Sequence, residues 1–316
     1  MVQETETYIF TIFMLQFYQG LGECMQFQEL IQIIKRESVN NNFQQASDNI
    51  QNIIFKLNKI EIIPIISEIG AIPEFINHDS TEEKLYTKVS DIILAKCFIE
   101  LGLKANVLRE RANCADVVAK SNYHNYSLIG DAKAFRLSRT AKNQKDFKVE
   151  SMVHWRGDCD YSVLCCPYFQ YPKTRSQIYG QAINGNVSLF SWEYLSILLQ
   201  NNIVESEHMN LKDLWNYSFV IANDTTVADM NSCFLNKQNK FLQQFIDCSD
   251  EDFANLFDSF KNSIIDRGEN EIKYWENEIN IIKEYTREQA IEMLIKSLKL
   301  NEKINAINSF INQLRG

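Results

Sequence analysis

Two carboxylates and an ammonium group are spaced so that they can act together on a phosphate. Asp131 and Lys133 flank Ala132 at the end of the apolar run Tyr126-Ser127-Leu128-Ile129, and Asp116 precedes a second apolar run, Val117-Val118-Ala119. The polar stretch 120–125 between the runs has the composition of a hairpin turn. With the turn centred on Tyr123-His124, residues whose numbers sum to 247 lie opposite one another, so Asp116 faces Asp131. Directly opposed residues hold their Cβ atoms roughly 5 Å apart. Strand alternation puts Lys133 on the face of Asp131 and turns Ala132 away. Carboxylates this close repel unless a cation lies between them. An all-oxygen environment suits Mg²⁺, and the Ala132 carbonyl is a further candidate ligand. Lys133 is placed to orient a water or to steady charge building on a phosphate. Those are the parts that phosphodiester hydrolysis needs. An Asp-x-Lys triplet alone is a weak signal; the second acid in hairpin register gives it weight.

The segment that follows adds to the case. Residues 133–148 read KAFRLSRTAKNQKDFK, with six Lys or Arg against the single acid Asp146, in a chain whose formal net charge is -9. An acidic protein can still bind DNA when its positive charge is concentrated at the contact. Arg136, Ser138, Arg139, Lys142, Asn143, Gln144 and Lys145 are the candidate DNA contacts. The basic groups suit phosphates, and Asn143, Gln144 and Arg139 carry the donor and acceptor patterns that read purine edges. The plainer explanation is a solvated basic helix face, and only the position directly after Asp131-Ala132-Lys133 favours DNA.

The residues also resemble a known family. Ser80-Thr81-Glu82-Glu83-Lys84-Leu85, Gly130-Asp131-Ala132-Lys133, the long stretch from Phe135 to Val149, Phe169-Gln170-Tyr171-Pro172, Leu189-Phe190-Ser191-Trp192-Glu193 and Thr286-Arg287-Glu288 look like HindIII-type type II restriction endonucleases. The likeness runs from about Met25 to near the C-terminus. That resemblance implies the PD-(D/E)xK nuclease superfamily, with Asp116 as the first acid of the motif, Asp131 as the second and Lys133 as its lysine. Ala115 stands where proline is usual. It further implies a homodimer that cuts both strands of double-stranded DNA at the palindrome AAGCTT using Mg²⁺, and a partner methyltransferase that protects host DNA. Superfamily members often carry an acid on the helix before the first motif strand, which makes Glu83 a candidate supporting acid. Ser80-x-x-Glu83 is equally a capping box, the favoured role.

These groups must be positioned by an α/β fold: a restriction-endonuclease-like mixed sheet flanked by helices, with helical N- and C-terminal additions. Apolar spacing predicts helices over 26–35 and 46–57, divided by Asn40-Asn41-Asn42. Pro64 opens a short helix. Ser80 caps a helix to about residue 101, with Leu85, Val89, Ile92, Ile93 and Cys97 inward and Gly102 ending it. Strands follow at 161–166 and 186–192, with a helix over 174–183 between them. Beyond a helix at 193–200 lie a surface loop at 223–226 and helices over 251–265, 271–283 and 287–298, the last opened by a Thr286/Gln289 capping box. Ile272, Trp275, Ile279 and Ile282 form an apolar stripe of the kind usually buried in a core, though in a homodimer part of it could be interface. The organisation expected is an extension over 1–24, a helical region over 25–78, the nuclease core over 79–195 and a helical C-terminal region over 196–316.

Composition excludes several classes. With 316 residues, 45% of them hydrophobic, the chain can bury a sizeable core. Eight cysteines lack zinc-site spacing, and they are taken as reduced thiols of a cytoplasmic protein. The apolar run 8–17 follows acids, not the basic residues of a secretory signal, and is too short to span a bilayer. Because the resemblance starts near Met25, residues 1–24 could stem from an upstream start codon. Two further functions stay open: a repair or non-specific nuclease of the same architecture, and a catalytically silent DNA-binding module.

Overall fold

The computed structural model describes residues 26–109, 114–139, 144–172, 176–222 and 230–315. The chain divides into a compact unit over 1–262 and a second over 263–316.

The first unit is built on a five-stranded sheet in the order β1 (Lys104–Val107), β2 (Val117–Lys120), β3 (Ser127–Ala132), β4 (Tyr161–Cys166), β5 (Val187–Ser191). The first three strands are antiparallel, and β3, β4 and β5 run parallel. β1 is an addition to the strands foreseen from sequence. Its exposed Lys104 and Asn106 alternate with Ala105, too short a pattern to separate from a loop. The parallel strands are covered on both faces, which is why all of Tyr161–Cys166 and Val187–Ser191 is buried.

Helices α1 (Phe27–Asn40), α2 (Phe43–Ile54), α3 (Lys59–Ile69) and α4 (Thr81–Glu100) precede the sheet. The turn at Asn40-Asn41-Asn42 takes the expected place, and the Asn42 side chain caps α2. Pro64 does not open α3; it lies inside the helix. Asn58 begins it through a capping box with Glu61, and burial of Ile62, Ile63, Ile65, Ile66 and Ile69 outweighs the missing backbone donor. On the face of the sheet that Leu128, Ala132, Val163 and Phe190 share, the core is completed by α4, α1–α3 and α8 (Trp192–Gln200). A second cluster on the other face joins Ile129, Leu164, Cys166 and Leu189 to residues of α6 (Val149–Trp155), α7 (Gln177–Gly185), α10 (Tyr217–Ala222) and α11 (Met230–Phe245). Two one-turn helices complete the numbering, α5 (Gln144–Phe147) and α9 (Lys212–Trp215). The loop expected at 223–226 and residues 1–24 lie outside the described residues. The seven cysteines described are free thiols.

Gly130 sets the distance between α4 and the sheet. A Cβ there would lie 3.0 Å from both Leu94 Cδ2 and Phe98 Cε2. Its absence lets the helix lie close against β3.

α12 is one helix, Asp250–Lys283, where two are expected from sequence. Gly268 does not break it, and the Arg267–Glu271 ion pair at 2.7 Å, one helical turn apart, bridges that point. The second unit continues with α13 (Arg287–Ser297), opened by the expected Thr286/Gln289 capping box, and α14 (Leu300–Arg315), which was not among the helices expected from sequence. Ile272, Trp275, Ile279 and Ile282 are exposed, not core. No helix among the described residues is long and apolar enough to cross a membrane.

Candidate active site

The β2–β3 hairpin has the register that the turn composition predicts. Val117 pairs with Gly130, Val118 with Ile129, Ala119 with Leu128 and Lys120 with Ser127. One step further along the same ladder Asp116 stands against Asp131. Asp116 is fixed there by a backbone hydrogen bond, Leu108 N–H to Asp116 O at 2.8 Å. Beyond β3, the Lys133 N–H continues the parallel ladder to Cys165 O at 2.8 Å, and the Trp192 indole donates to Lys133 O at 3.0 Å. Lys133 meets the Asp131 carboxylate in an ion pair from the shared face, and Ala132 turns into the core on the α4 side.

A third acid completes the group. Carboxylate oxygens of Asp91, Asp116 and Asp131 all lie within 4.8 Å of one another. Asp91 comes from the middle of α4 and is 3% exposed; its Oδ1 accepts the Ala132 N–H at 3.3 Å. Sequence reasoning missed it; the one acid of this helix that it weighed was Glu83, for which it favoured the capping role. The signal was present: Asp91 is the only carboxylate between Glu83 and Glu100, directly before the apolar run Ile92-Ile93-Leu94-Ala95. Glu83 lies outside the cluster. Its N–H donates to the Ser80 hydroxyl, its Oε2 accepts the Asp79 N–H, and its Oε1 accepts from Arg136.

Burial and like charge govern the electrostatics. Burial, then the charges of Asp116 and Asp131, push the Asp91 carboxyl well above the usual carboxylate range. Burial raises Asp131 as well, against the pull of Lys133. For Lys133, burial acts to lower the ammonium's affinity for its proton, but the charge and hydrogen bond of Asp131 prevail and raise it. Lys133 is therefore held as a cation.

Three converging carboxylates make a hard, all-oxygen donor set of the kind that Mg²⁺ takes. Among the described residues no His joins the group, and Cys166 keeps its proton because burial raises the thiol. The side chains present fit a divalent, oxygen-seeking ion.

The model of the HindIII restriction endonuclease family matches residues 28–311. The type II restriction enzyme HindIII of Haemophilus influenzae (strain ATCC 51907 / DSM 11121 / KW20 / Rd) is 43% identical over 288 residues, which is 91% of this chain and 96% of that protein. The chain belongs to the HindIII restriction endonuclease family. A solved structure of restriction endonuclease FokI shows a slight likeness at 12% identity and a TM-score of 0.33, covering 56% of this chain and 34% of that one.

In this HindIII-family endonuclease the basic segment divides into parts. Arg136 is spent on the protein: its guanidinium donates to Glu83 at 2.7 Å and to the carbonyls of Pro73, Glu74 and Ile76. With its side chain only 13% exposed, it anchors the segment to the start of α4. Ser138 is also engaged, its N–H and hydroxyl both donating to the Glu74 carboxylate. Arg139 pairs with Asp146 at 2.5 Å, and its guanidinium lies over the Phe135 ring. Gln144 and Lys145 open α5, with Lys145 exposed. Lys142 and Asn143 lie outside the described residues.

Proposed function

We propose that this HindIII-family endonuclease hydrolyses phosphodiester bonds of double-stranded DNA with Mg²⁺ held by Asp116, Asp131 and Asp91. The observation that carries the reading is the meeting of three carboxylates from two strands and a helix, with Lys133 against one of them. When bound, the ion would polarise a phosphoryl oxygen and favour ionisation of water. The Lys133 ammonium keeps its proton, which suits it to orient water and to stabilise negative charge on the phosphate rather than to act as a base. Ala132, held by its N–H against Asp91, is proposed to lend its carbonyl. Arg139, Gln144 and Lys145, together with Lys142 and Asn143, are proposed to face DNA.

The 43% identity to HindIII supports a proposed substrate site of AAGCTT, cut on both strands by a homodimer, in a cell whose cognate methyltransferase protects the same site. Incubation with phage-length DNA and Mg²⁺, followed by sequencing of fragment ends, tests this reading. Fragments ending uniformly at one six-base palindrome support it. A smear indicates a nuclease without sequence recognition, and uncut DNA that is nonetheless bound indicates a silent binding module.

A further inference from the structure

Lys88 stands at the mouth of the acidic cluster in a position the proposed chemistry does not use. It lies one turn before Asp91 on α4. Its ammonium donates to Asp116 Oδ1 at 3.1 Å and to the Leu108 carbonyl at 3.0 Å. The Lys88 side chain is 14% exposed and that of Asp116 33%. Lys133 neutralises Asp131 from one direction, and Lys88 does the same for Asp116 from another.

Beside this pair opens a cavity of about 360 Å³ lined by Asp91, Asp116, Lys88, Thr87, Lys84 and Arg109, among others. Lys84, Lys88 and Asp91 follow one another at helical spacing along one face of α4, so the cations lead outward from the carboxylates. Seven residues at 1.5 Å each span about 10 Å. Lys84 is exposed. Arg109, paired with Asp48 at 3.4 Å, is largely exposed.

We propose that Lys88 is a built-in counter-ion that a divalent cation displaces, and that the displaced ammonium then binds a DNA phosphate in this cavity. The inference rests on the metal-site reading above. The physical reason is charge: a doubly positive ion held by Asp116 repels an ammonium on the same carboxylate. The lysine stem is long and flexible enough to redirect its head group, and the cavity lined by Lys84 and Arg109 gives it an anionic destination when DNA is present. Metal occupancy and DNA affinity are thereby coupled through one side chain, and each must strengthen the other.

The test measures Ca²⁺ binding to the full chain by calorimetry, and binding of a duplex oligonucleotide in Ca²⁺ across a salt series. Lys88→Met is expected to tighten Ca²⁺ binding several-fold without DNA, because the competitor is gone. The same variant is expected to weaken DNA binding and to flatten the salt slope by about 0.9, the loss of one phosphate contact. Lys88→Arg should keep the wild-type slope. A merely structural role would weaken both equilibria together, so unchanged or weaker Ca²⁺ binding in Lys88→Met overturns the inference, as does an unchanged salt slope. Asp131→Asn separates the two readings: if the wild type binds no Ca²⁺, or Asp131→Asn binds it as well as wild type, the metal site itself is misassigned.

Discussion

Replacing Asp91 by Asn keeps the shape and the acceptor for the Ala132 N–H but removes one of three negative charges. The carboxylate oxygens lie within 4.8 Å of one another. At an effective dielectric of about 20, each like-charged pair at that separation costs about 3 kcal/mol. A doubly charged ion seated centrally would lie about 3 Å from each oxygen, and its attraction to one carboxylate would amount to about 11 kcal/mol on the same scale. Because the Asp91 carboxyl is raised in the ion-free protein, ion binding ionises it and incurs two of these repulsions, which offset part of the attraction. Losing Asp91 is therefore a net loss of about 4 kcal/mol of ion affinity, and about 1 kcal/mol at water-like screening. Affinity should drop roughly 5- to 1,000-fold. The assay is thermal unfolding with EDTA and with Ca²⁺ at about a hundred times the wild-type dissociation constant, where the ion stabilises the wild type by about 2.7 kcal/mol. A tenfold loss of affinity halves that gain to about 1.4 kcal/mol. In EDTA the order reverses: the raised Asp91 carboxyl is a cost that grows as pH rises above the ordinary carboxylate value, so the Asn variant should match or exceed the wild type at pH 8. A full wild-type response to Ca²⁺ in Asp91→Asn would show that this carboxylate is no ligand and only a buried neighbour.

Asp131→Asn should abolish cleavage in a plasmid digest and leave DNA retained in a gel-shift assay; cutting at the wild-type rate refutes its place at the centre. Arg136→Ala strands Glu83 and three carbonyls and should cost about 3–5 kcal/mol in denaturant unfolding; a variant of full stability with weakened DNA binding would return Arg136 to the DNA-contacting set. Gly130→Ala should cost about 1–3 kcal/mol by overpacking against Leu94 and Phe98, and should weaken Ca²⁺ binding because α4 carries Asp91; calorimetry that finds wild-type affinity contradicts the link. Burial raises Glu193 from 4.5 to about 7, against the hydrogen bond it accepts from the Tyr168 N–H. The unfolded chain thus ionises first, and stability falls as pH rises from about 4.5 to 7, by about 3 kcal/mol in all. Glu193→Gln should equal the wild type in Tm near pH 4 and exceed it at pH 8, and parallel curves across that range would be evidence against the shift.

Much of the site was legible because it is local. Asp116, Asp131 and Lys133 belong to one hairpin and its immediate continuation, where turn centre and strand alternation set the register within a few residues. The Ser80 cap of α4 and the Thr286/Gln289 box were legible for the same reason, since a helix start is decided by side chains three residues apart. β1 was too short a pattern to separate from a loop. α14 carries Leu300, Ile304, Ile307, Ile311 and Leu314 at helical spacing, a signal the sequence reading passed over. Pro64 reads as a helix start but lies inside a helix that capping and burial sustain, and the break expected between 265 and 271 is absent.

By itself the sequence determined the family, the strand register and the pairing of two acids with a lysine, because each depends on residues near one another along the chain. Tertiary structure alone decided that Asp91 joins them, that Lys88 neutralises Asp116 and that Arg136 turns inward to Glu83. Those partners lie 25 to 53 positions apart in the chain. They meet where α4 lies against the sheet, a close approach that Gly130 permits and packing sets, written in no local pattern. Periodicity likewise marked the stripe of Ile272, Trp275, Ile279 and Ile282, but a repeat shows that side chains share a face and not what covers that face.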